Sequence, residues 1–335
     1  MKRLSVFRTS NSAALAGLTI VMSMALGACS NEDDASPVPA EADDLYTPVL
    51  KASSTDGTGG TLENYTGFLE ALPCTGTDYT YYGNYSSSAL LLAIPAYYEV
   101  SDGYAKNSST PVRLPLGTYN MLYWGHPTQE LAVAGDLISP SFTIGQKMAE
   151  QTFGLASLDA SANTYSPTHQ FVIGTQSVAI GTDSLHADLT QATTALNINI
   201  SNSSGEAMNA SIDSMWISVA NTAKTINAVT GAATSSSTSG TVNFGLTKSS
   251  DSMKFASGDV YLFPSVSTPS VTIYAKLANG QTKSVSHALT STLPAGTITT
   301  VNITVETILS SLPDAGLFRV NSWVEQTESF SITMD

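Results

Sequence analysis

Few side chains in this 335-residue chain suit covalent or acid–base chemistry: two cysteines, four histidines and 27 acidic residues. The histidines, His126, His169, His186 and His287, are far apart, and none stands at metal-ligand spacing from another. Paired carboxylates occur mainly as Asp33-Asp34 and Asp43-Asp44, where solvation is the default state. No Gly-x-Ser-x-Gly elbow, His-Glu-x-x-His pair, phosphate loop or dinucleotide fingerprint is present. The expectation is a protein that is not an enzyme and carries no metal or cofactor. Cys74 stands alone once Cys29 is otherwise engaged, so no intramolecular disulfide forms, and it reads as a small buried hydrophobe. Cys29 is the residue whose surroundings specify a reaction.

Lys2, Arg3 and Arg8 lead into a small-residue and apolar run from about Ala13 to Leu26. A basic start, an apolar middle and small residues before a cut site mark an export signal. The run is shorter than the ~20 residues of a spanning helix. Leu26-Gly27-Ala28-Cys29 resembles the bacterial lipobox. That implies removal of residues 1–28 as a lipoprotein signal peptide and lipid attachment, with palmitate-type chains, at Cys29. Each buried methylene contributes about 0.8 kcal/mol, so several acyl chains make a durable tether. Residues 29–44, acidic and holding Pro37 and Pro39, read as an extended solvated spacer. The acidic tract after the cysteine also resembles the surface-export signal of Bacteroidetes lipoproteins, which implies the outer face of the outer membrane. The alternative is a charged linker facing the periplasm.

Loss of Lys2, Arg3 and Arg8 with the signal leaves ten basic against 27 acidic residues, a net charge near −17. Such a surface repels phosphate backbones, so nucleic acid is not an expected partner. The apolar residues arrive in short β-branched and aromatic runs between Gly, Pro, Asn and Ser. Examples are 89–95, 112–124, 170–180, 195–200, 211–219, 260–264, 271–277 and 299–305. Several alternate with period two, as in Leu196, Ile198, Ile200 and Val301, Ile303, Val305. This pattern predicts half-buried antiparallel strands in sandwiches, an all-β chain. Asn279-Gly280 predicts a hairpin with positive φ at both central positions. Helical periodicity is scarce, the best stretch being 146–158, and the Ser/Thr/Ala run 232–240 reads as a mobile loop. About 290 residues after the spacer allow two domains, 45–182 and 183–335, divided where the composition shifts near Thr182-Asp183.

Leu114-Pro115-Leu116-Gly117-Thr118-Tyr119, continuing to Trp124-Gly125, resembles a strand of the N-terminal domain in the fimbrillin superfamily of Bacteroidales. Leu189 to Ile198 is similar to the strand opening that family's C-terminal domain, and Asp259 to Pro264 to another strand there. Asn279-Gly280-Gln281-Thr282, Leu293-Pro294-Ala295-Gly296, Val301 to Val305 and Val320-Asn321-Ser322-Trp323 follow in the family's order. The likeness is greatest to fimbrial anchor and accessory subunits. It implies two tandem β-sandwich domains of transthyretin-like topology, a lipid-anchored pilus subunit supporting adhesion, and assembly with other fimbrial subunits by β-strand exchange. It also implies location at the cell surface and contact with a host or bacterial surface ligand. Adding a neighbour's strand to an open sheet edge satisfies a ladder of backbone groups, while alternate side chains fill pockets.

Two segments fit that mechanism. Phe330, Ile332 and Met334 alternate with Ser331 and Thr333, the period a donor strand needs, though a strand paired in its own domain has the same period. Residues 45–52 form the N-terminal strand. In stalk subunits of the family, cutting after a basic residue removes that strand and opens a groove. Here no arginine lies between Arg8 and Arg113, and Lys51 is the basic residue at a comparable place. Either Lys51 is the processing site, or the strand stays and the protein is an uncleaved anchor or accessory subunit, which is the preferred reading.

A different class of function is a surface lipoprotein that binds glycans for an uptake system. Tyr79, Tyr81, Tyr82, Tyr85, Tyr97, Tyr98 and Tyr104 would then present an exposed aromatic platform on a closed sheet; otherwise they are strand residues, half-buried as tyrosines usually are. Asp183-Ser184-Leu185, Asp213-Ser214-Met215 and Asp251-Ser252-Met253 resemble Bacteroidetes O-glycosylation sites.

Overall fold

The computed structural model describes residues 44–55, 63–106, 108–127, 137–141, 143–202, 205–208, 210–234, 239–308, 316–323 and 328–334. Residues 1–43, which include the expected signal peptide, Cys29 and nearly all of the expected spacer, lie outside the described residues. The first half supplies β1 (Leu50–Thr55), β2 (Gly67–Thr75), β3 (Ala96–Ser101), β4 (Gly117–His126), β5 (Val172–Ile180) and β6 (Leu185–Gln191). The second supplies β7 (Thr194–Asn202), β8 (Ile212–Thr222), β9 (Gly240–Lys248), β10 (Lys254–Leu262) and β11 (Ser265–Leu277). It continues with β12 (Thr282–Ala288), β13 (Ile298–Ile308), β14 (Gly316–Trp323) and β15 (Glu328–Met334). The protein is all-β, with two sheet bodies, as its alternating apolar runs predict.

The first body is a nine-stranded sheet ordered β6-β5-β4-β2-β3, then Tyr104–Ala105, β1 and Glu63–Asn64, with Thr80–Tyr81 beside β2. β1 also pairs in parallel with β6, so the sheet closes on itself. The inward positions of that ring form one apolar cluster, including Leu50, Ala52, Leu69, Ala71, Met121, Tyr123, Val178, Leu185 and Leu189. Alternation decides the arrangement: Leu50 and Ala52 turn inward and Lys51 outward.

The second body is an eleven-stranded sheet ordered β12-β11-β8-β9-β10-β7-β13-β14-β15, with hairpin 157–165 added through Thr164–Tyr165 along β9. Only β7–β13 and that added strand pair in parallel. The two halves are joined by a three-stranded sheet in which Thr152–Leu155, from the first, pairs with Thr225–Asn227, from the second. Beneath it one apolar cluster runs from Leu72, Leu122 and Trp124 on the outside of the ring to Ile198, Ile217 and Phe255 of the second body. The Trp124 indole N–H donates to the Ala228 carbonyl at 2.8 Å, and its ring meets Phe153 edge-on at 4.7 Å. A buried tryptophan with its donor satisfied fixes one half against the other.

Several sequence expectations shift. The change of sheet falls at Ala192-Thr193, not near 183, because residues 181–184 are a hairpin turn. Asp183 accepts from the Ala179 amide through its side chain and donates its own amide to the Ala179 carbonyl. The run 146–158 is not a helix. It holds one 3-10 turn, Met148–Glu150, and then strand Thr152–Leu155, where Phe153 and Leu155 are buried two residues apart. That is strand spacing across a glycine, Gly154, which weakens a helix. The run 89–95 yields only Leu91–Leu92, because Ser86 to Leu90 closes a tight turn in which Ala89 takes φ 57°. At Asn279-Gly280 only Gly280 has positive φ, at 85°. The Gly280 amide donates to Leu277, giving a three-residue hairpin loop ending in a glycine bulge. Of the run 232–240, Ala233 bridges to Ile226, and residues 235–238 lie outside the described residues.

Glu70 lies opposite Tyr97 and Trp124 in the ladder, on the covered outer face of β2. Burial pushes its carboxyl from 4.5 up to about 7. As pH rises the unfolded chain therefore loses this proton first, and the protonated group's stabilising contribution, complete below about 4.5, is lost by about 7. Glu70→Gln is expected to match the parent near pH 4 and to exceed its stability by roughly 2 kcal/mol at pH 8. Denaturant unfolding at the two pH values checks this, and a pH-independent difference contradicts it.

Candidate assembly interface

β1 is bonded on both sides. Leu50 to Thr55 pair in register with Leu185 to Thr190 of β6. On the other side Lys51 faces Tyr104, while Ser53 and Ser54 face Asn64 and Glu63. The peptide bond after Lys51 lies within this doubly paired stretch, its N–H and the carbonyl of the following peptide both engaged. The Ala52 amide donates to Gly103 at 2.9 Å, and the Ala52 carbonyl accepts from Tyr65 at 3.1 Å. The exposed Lys51 ammonium lies 5.7 Å from the Tyr104 ring centre, a cation–π contact. Ser53 donates to Asp188 at 2.8 Å. A cavity of about 180 Å³ sits outside this strand between Lys51, Asn64, Tyr104 and His186.

The support for β1 is a turn that the sequence reading passed over. Asp102 and Gly103, at φ 50° and 80°, are the two central residues of the hairpin joining β3 to Tyr104–Ala105. Positive φ at both marks a type I′ turn, for which Asp-Gly is a favoured pair, so the signal was visible. A side chain at Gly103 would meet Asn64 Oδ1 at 3.0 Å and the Ala52 carbonyl at 3.3 Å.

The terminal segment is also paired. Phe330, Ile332 and Met334 stand opposite Val320, Phe318 and Gly316 in the β14–β15 hairpin. β15 ends the sheet order, and its other edge pairs with no described strand. The ring's entry end is apolar on its surface. Tyr46 and Leu114 exchange backbone hydrogen bonds there at 2.8 and 3.1 Å. Val49 and Leu116, close in the chain to this pair, are 66% and 64% exposed.

Other sequence candidates fall as follows. Cys74 is buried and unbridged, its thiol pushed up to about 12 by burial. His126 and His169, 43 positions apart in the chain, come to 6.5 Å between ring centres, and Phe171 lies 5.3 Å from His126. Burial, and then His169, lowers His126 to about 4, so it is neutral at ordinary pH. Among the described residues no group of three or more His, Cys, Asp or Glu is arranged to hold a metal. Tyr81, Tyr85 and Tyr98 are buried, Tyr79, Tyr82 and Tyr97 half-buried, and Tyr104 is exposed beside Lys51. They form no open row of ring faces. Ser184 is exposed in its turn, whereas Ser214 and Ser252 are half-buried. No described helix is long and apolar enough to cross a membrane.

Comparison with solved structures finds the same fold in several proteins of Porphyromonas and Bacteroides species. The fimbrial anchor protein Mfa2 from Porphyromonas gingivalis matches with a TM-score of 0.52 at 10% identity, over 84% of this chain and 98% of its own. A candidate adhesin from Bacteroides ovatus gives a TM-score of 0.53 at 10% identity, over 85% and 95%. A candidate polysaccharide-binding protein from Bacteroides thetaiotaomicron gives 0.52 at 11%, over 84% and 99%. At such identities the likeness is one of fold. No curated protein matches the chain. The family model for fimbrillin-A associated anchor proteins Mfa1 and Mfa2 matches residues 45–329. The chain belongs to that family of fimbrillin-A associated anchor proteins.

Proposed function

We propose that this protein is the lipid-tethered anchor of a fimbrium, which keeps its own first strand and joins the neighbouring subunit by giving it β15. The single observation carrying this reading is the Lys51–Ala52 bond, locked into a sheet on both edges. A protease needs an extended, unpaired segment, so cleavage there waits on local opening of the sheet. A subunit whose groove stays filled accepts no strand and has only a strand to give. Such a subunit ends a chain of strand exchanges, as an anchor must.

The donor assignment is supported by the position of β15, held along one edge and last in the sheet. Its release exposes the β14 edge in exchange for an equivalent ladder in the neighbour. Membrane attachment at the outer surface is supported by the lipobox-like Leu26-Gly27-Ala28-Cys29. From Cys29 to Asp44 an extended chain reaches about 50 Å at most. The entry end it leads to carries exposed Val49 and Leu116, a surface compatible with a bilayer interface.

Three outcomes test this. Lysine-specific protease acting on the folded full chain should leave the Lys51–Ala52 bond uncut, whereas Gly103→Val should speed that cut about tenfold or more; N-terminal sequencing reads both, and rapid cutting of the parent contradicts the account. Deletion of residues 328–335 should abolish denaturant-resistant multimers with partner subunits while the β circular-dichroism signal persists; multimers that survive the deletion remove β15 as donor. Cys29→Ser should move the protein from the membrane to the soluble fraction and leave fimbriae unattached to cells; unchanged membrane retention contradicts the lipid tether.

A further inference from the structure

The second body has one face turned to the core and one turned outward, and the outward face has an unusual composition. On the core side β8, β9, β11 and β12 present Met215, Ile217, Val219, Val242, Phe244, Val271, Ile273 and Val285. Their outward neighbours are small and polar apart from Lys276 and one aromatic pair. Trp216 and Tyr274 stand side by side across the β8–β11 ladder, their rings parallel within 1° and 5.1 Å apart between centres. This pair forms a ridge. Beside Trp216 in the same cross-strand row is Gly245, and beside Tyr274 is Ser284, both exposed. A side chain built at Gly245 would meet nothing within 4 Å. A trough therefore runs along the indole on its β9 side.

The next row holds Asn243, Ser218, Thr272 and Ser286, with Thr272 and Ser286 hydroxyls 2.8 Å apart. The Asn243 amide oxygen is buried and accepts no hydrogen bond. On the other side lie Ser214, Lys276 and Thr282, and Lys276 is 4.0 Å from Asp213. The face is thus close to neutral on a strongly acidic protein.

We propose that this face is a carbohydrate-binding site for a neutral oligosaccharide, with one pyranose ring lying in the Gly245 trough against Trp216. A pyranose has an apolar face of C–H groups and a rim of hydroxyls. The first matches an aromatic ring, and the second matches an array of Ser, Thr and Asn donors and acceptors. A nucleic acid would be repelled by the net charge of −14. A protein partner would need a wider apolar centre than two rings provide. The near-neutral face selects against uronate and sialyl groups. In a family member whose body is fixed at the cell surface, such a site would hold glycan on cells, matrix or neighbouring bacteria.

The test uses the full chain with a panel of purified neutral hexasaccharides: β-1,3- and β-1,4-glucan, mannan, galactan and chitin. Calorimetry and tryptophan emission are read together. At least one saccharide should bind and shift the emission. Trp216→Ala should weaken that binding about tenfold or more. Gly245→Leu fills the trough in a strand position open to a side chain, so it should weaken binding equally at an unchanged melting temperature. The proposal is overturned if no member of the panel binds at millimolar concentration, or if Gly245→Leu binds like the parent. It is also overturned if Trp216→Ala alters oligomeric state instead. The binding should persist when residues 328–335 are deleted, which separates this site from strand exchange.

Discussion

The six-residue parallel ladder between β1 and β6 is the contact on which the rest of the first body depends. Every other main-strand pairing in that sheet is antiparallel and joins segments closer in sequence. β1 comes from the start of the described chain and β6 from about 135 positions later, as the Ser53–Asp188 pair shows. Without β1 the ring has two edges, one along β6 and one along Tyr104–Ala105, and Leu185, Ala187 and Leu189 lose their cover. Open edges with apolar side chains behind them invite another chain. The same strand therefore both completes the body and covers the edges at which another chain would add.

The second constraint is the join between the halves. In the tether proposed above, force passes from a membrane end to the subunit held. Here the path does not rely on a single linker. Thr152–Leu155 reaches into the second half and Thr225–Asn227 reaches back, while hairpin 157–165 extends the second sheet. Trp124, Phe153 and Phe171 fill the space between, with ring centres 4.7 and 4.5 Å apart along the series. The apolar cluster is continuous across this join, so the halves resist separation as a packed interior does.

The sequence disclosed the class of fold and most long strands, because period-two alternation of β-branched residues is a local property. Leu196, Ile198 and Ile200 turn inward as read, and β8 and β11 follow the runs at 211–219 and 271–277. Connections were less legible, since tertiary pairing decides them. Asp183 looked like a boundary and is a turn residue, and 146–158 gave up its helical appearance to neighbours that offered strand pairing. The closing of the ring by β1 had no local signature at all. Lys51 could be named from the sequence, but its protection comes from Gly103, Tyr65 and β6, which are distant in the chain. The Trp216–Tyr274 ridge escaped for the same reason: each residue is a lone aromatic among serines until the register brings them together.

Hydrogen exchange on the intact protein reads the closing strand most directly, because exchange follows the free energy of local opening. The account predicts that the amides of Leu50–Thr55 exchange as slowly as those of Leu185–Gln191, the partners that hold them. Exchange of β1 at the rate of an open loop, with β6 still protected, would contradict it.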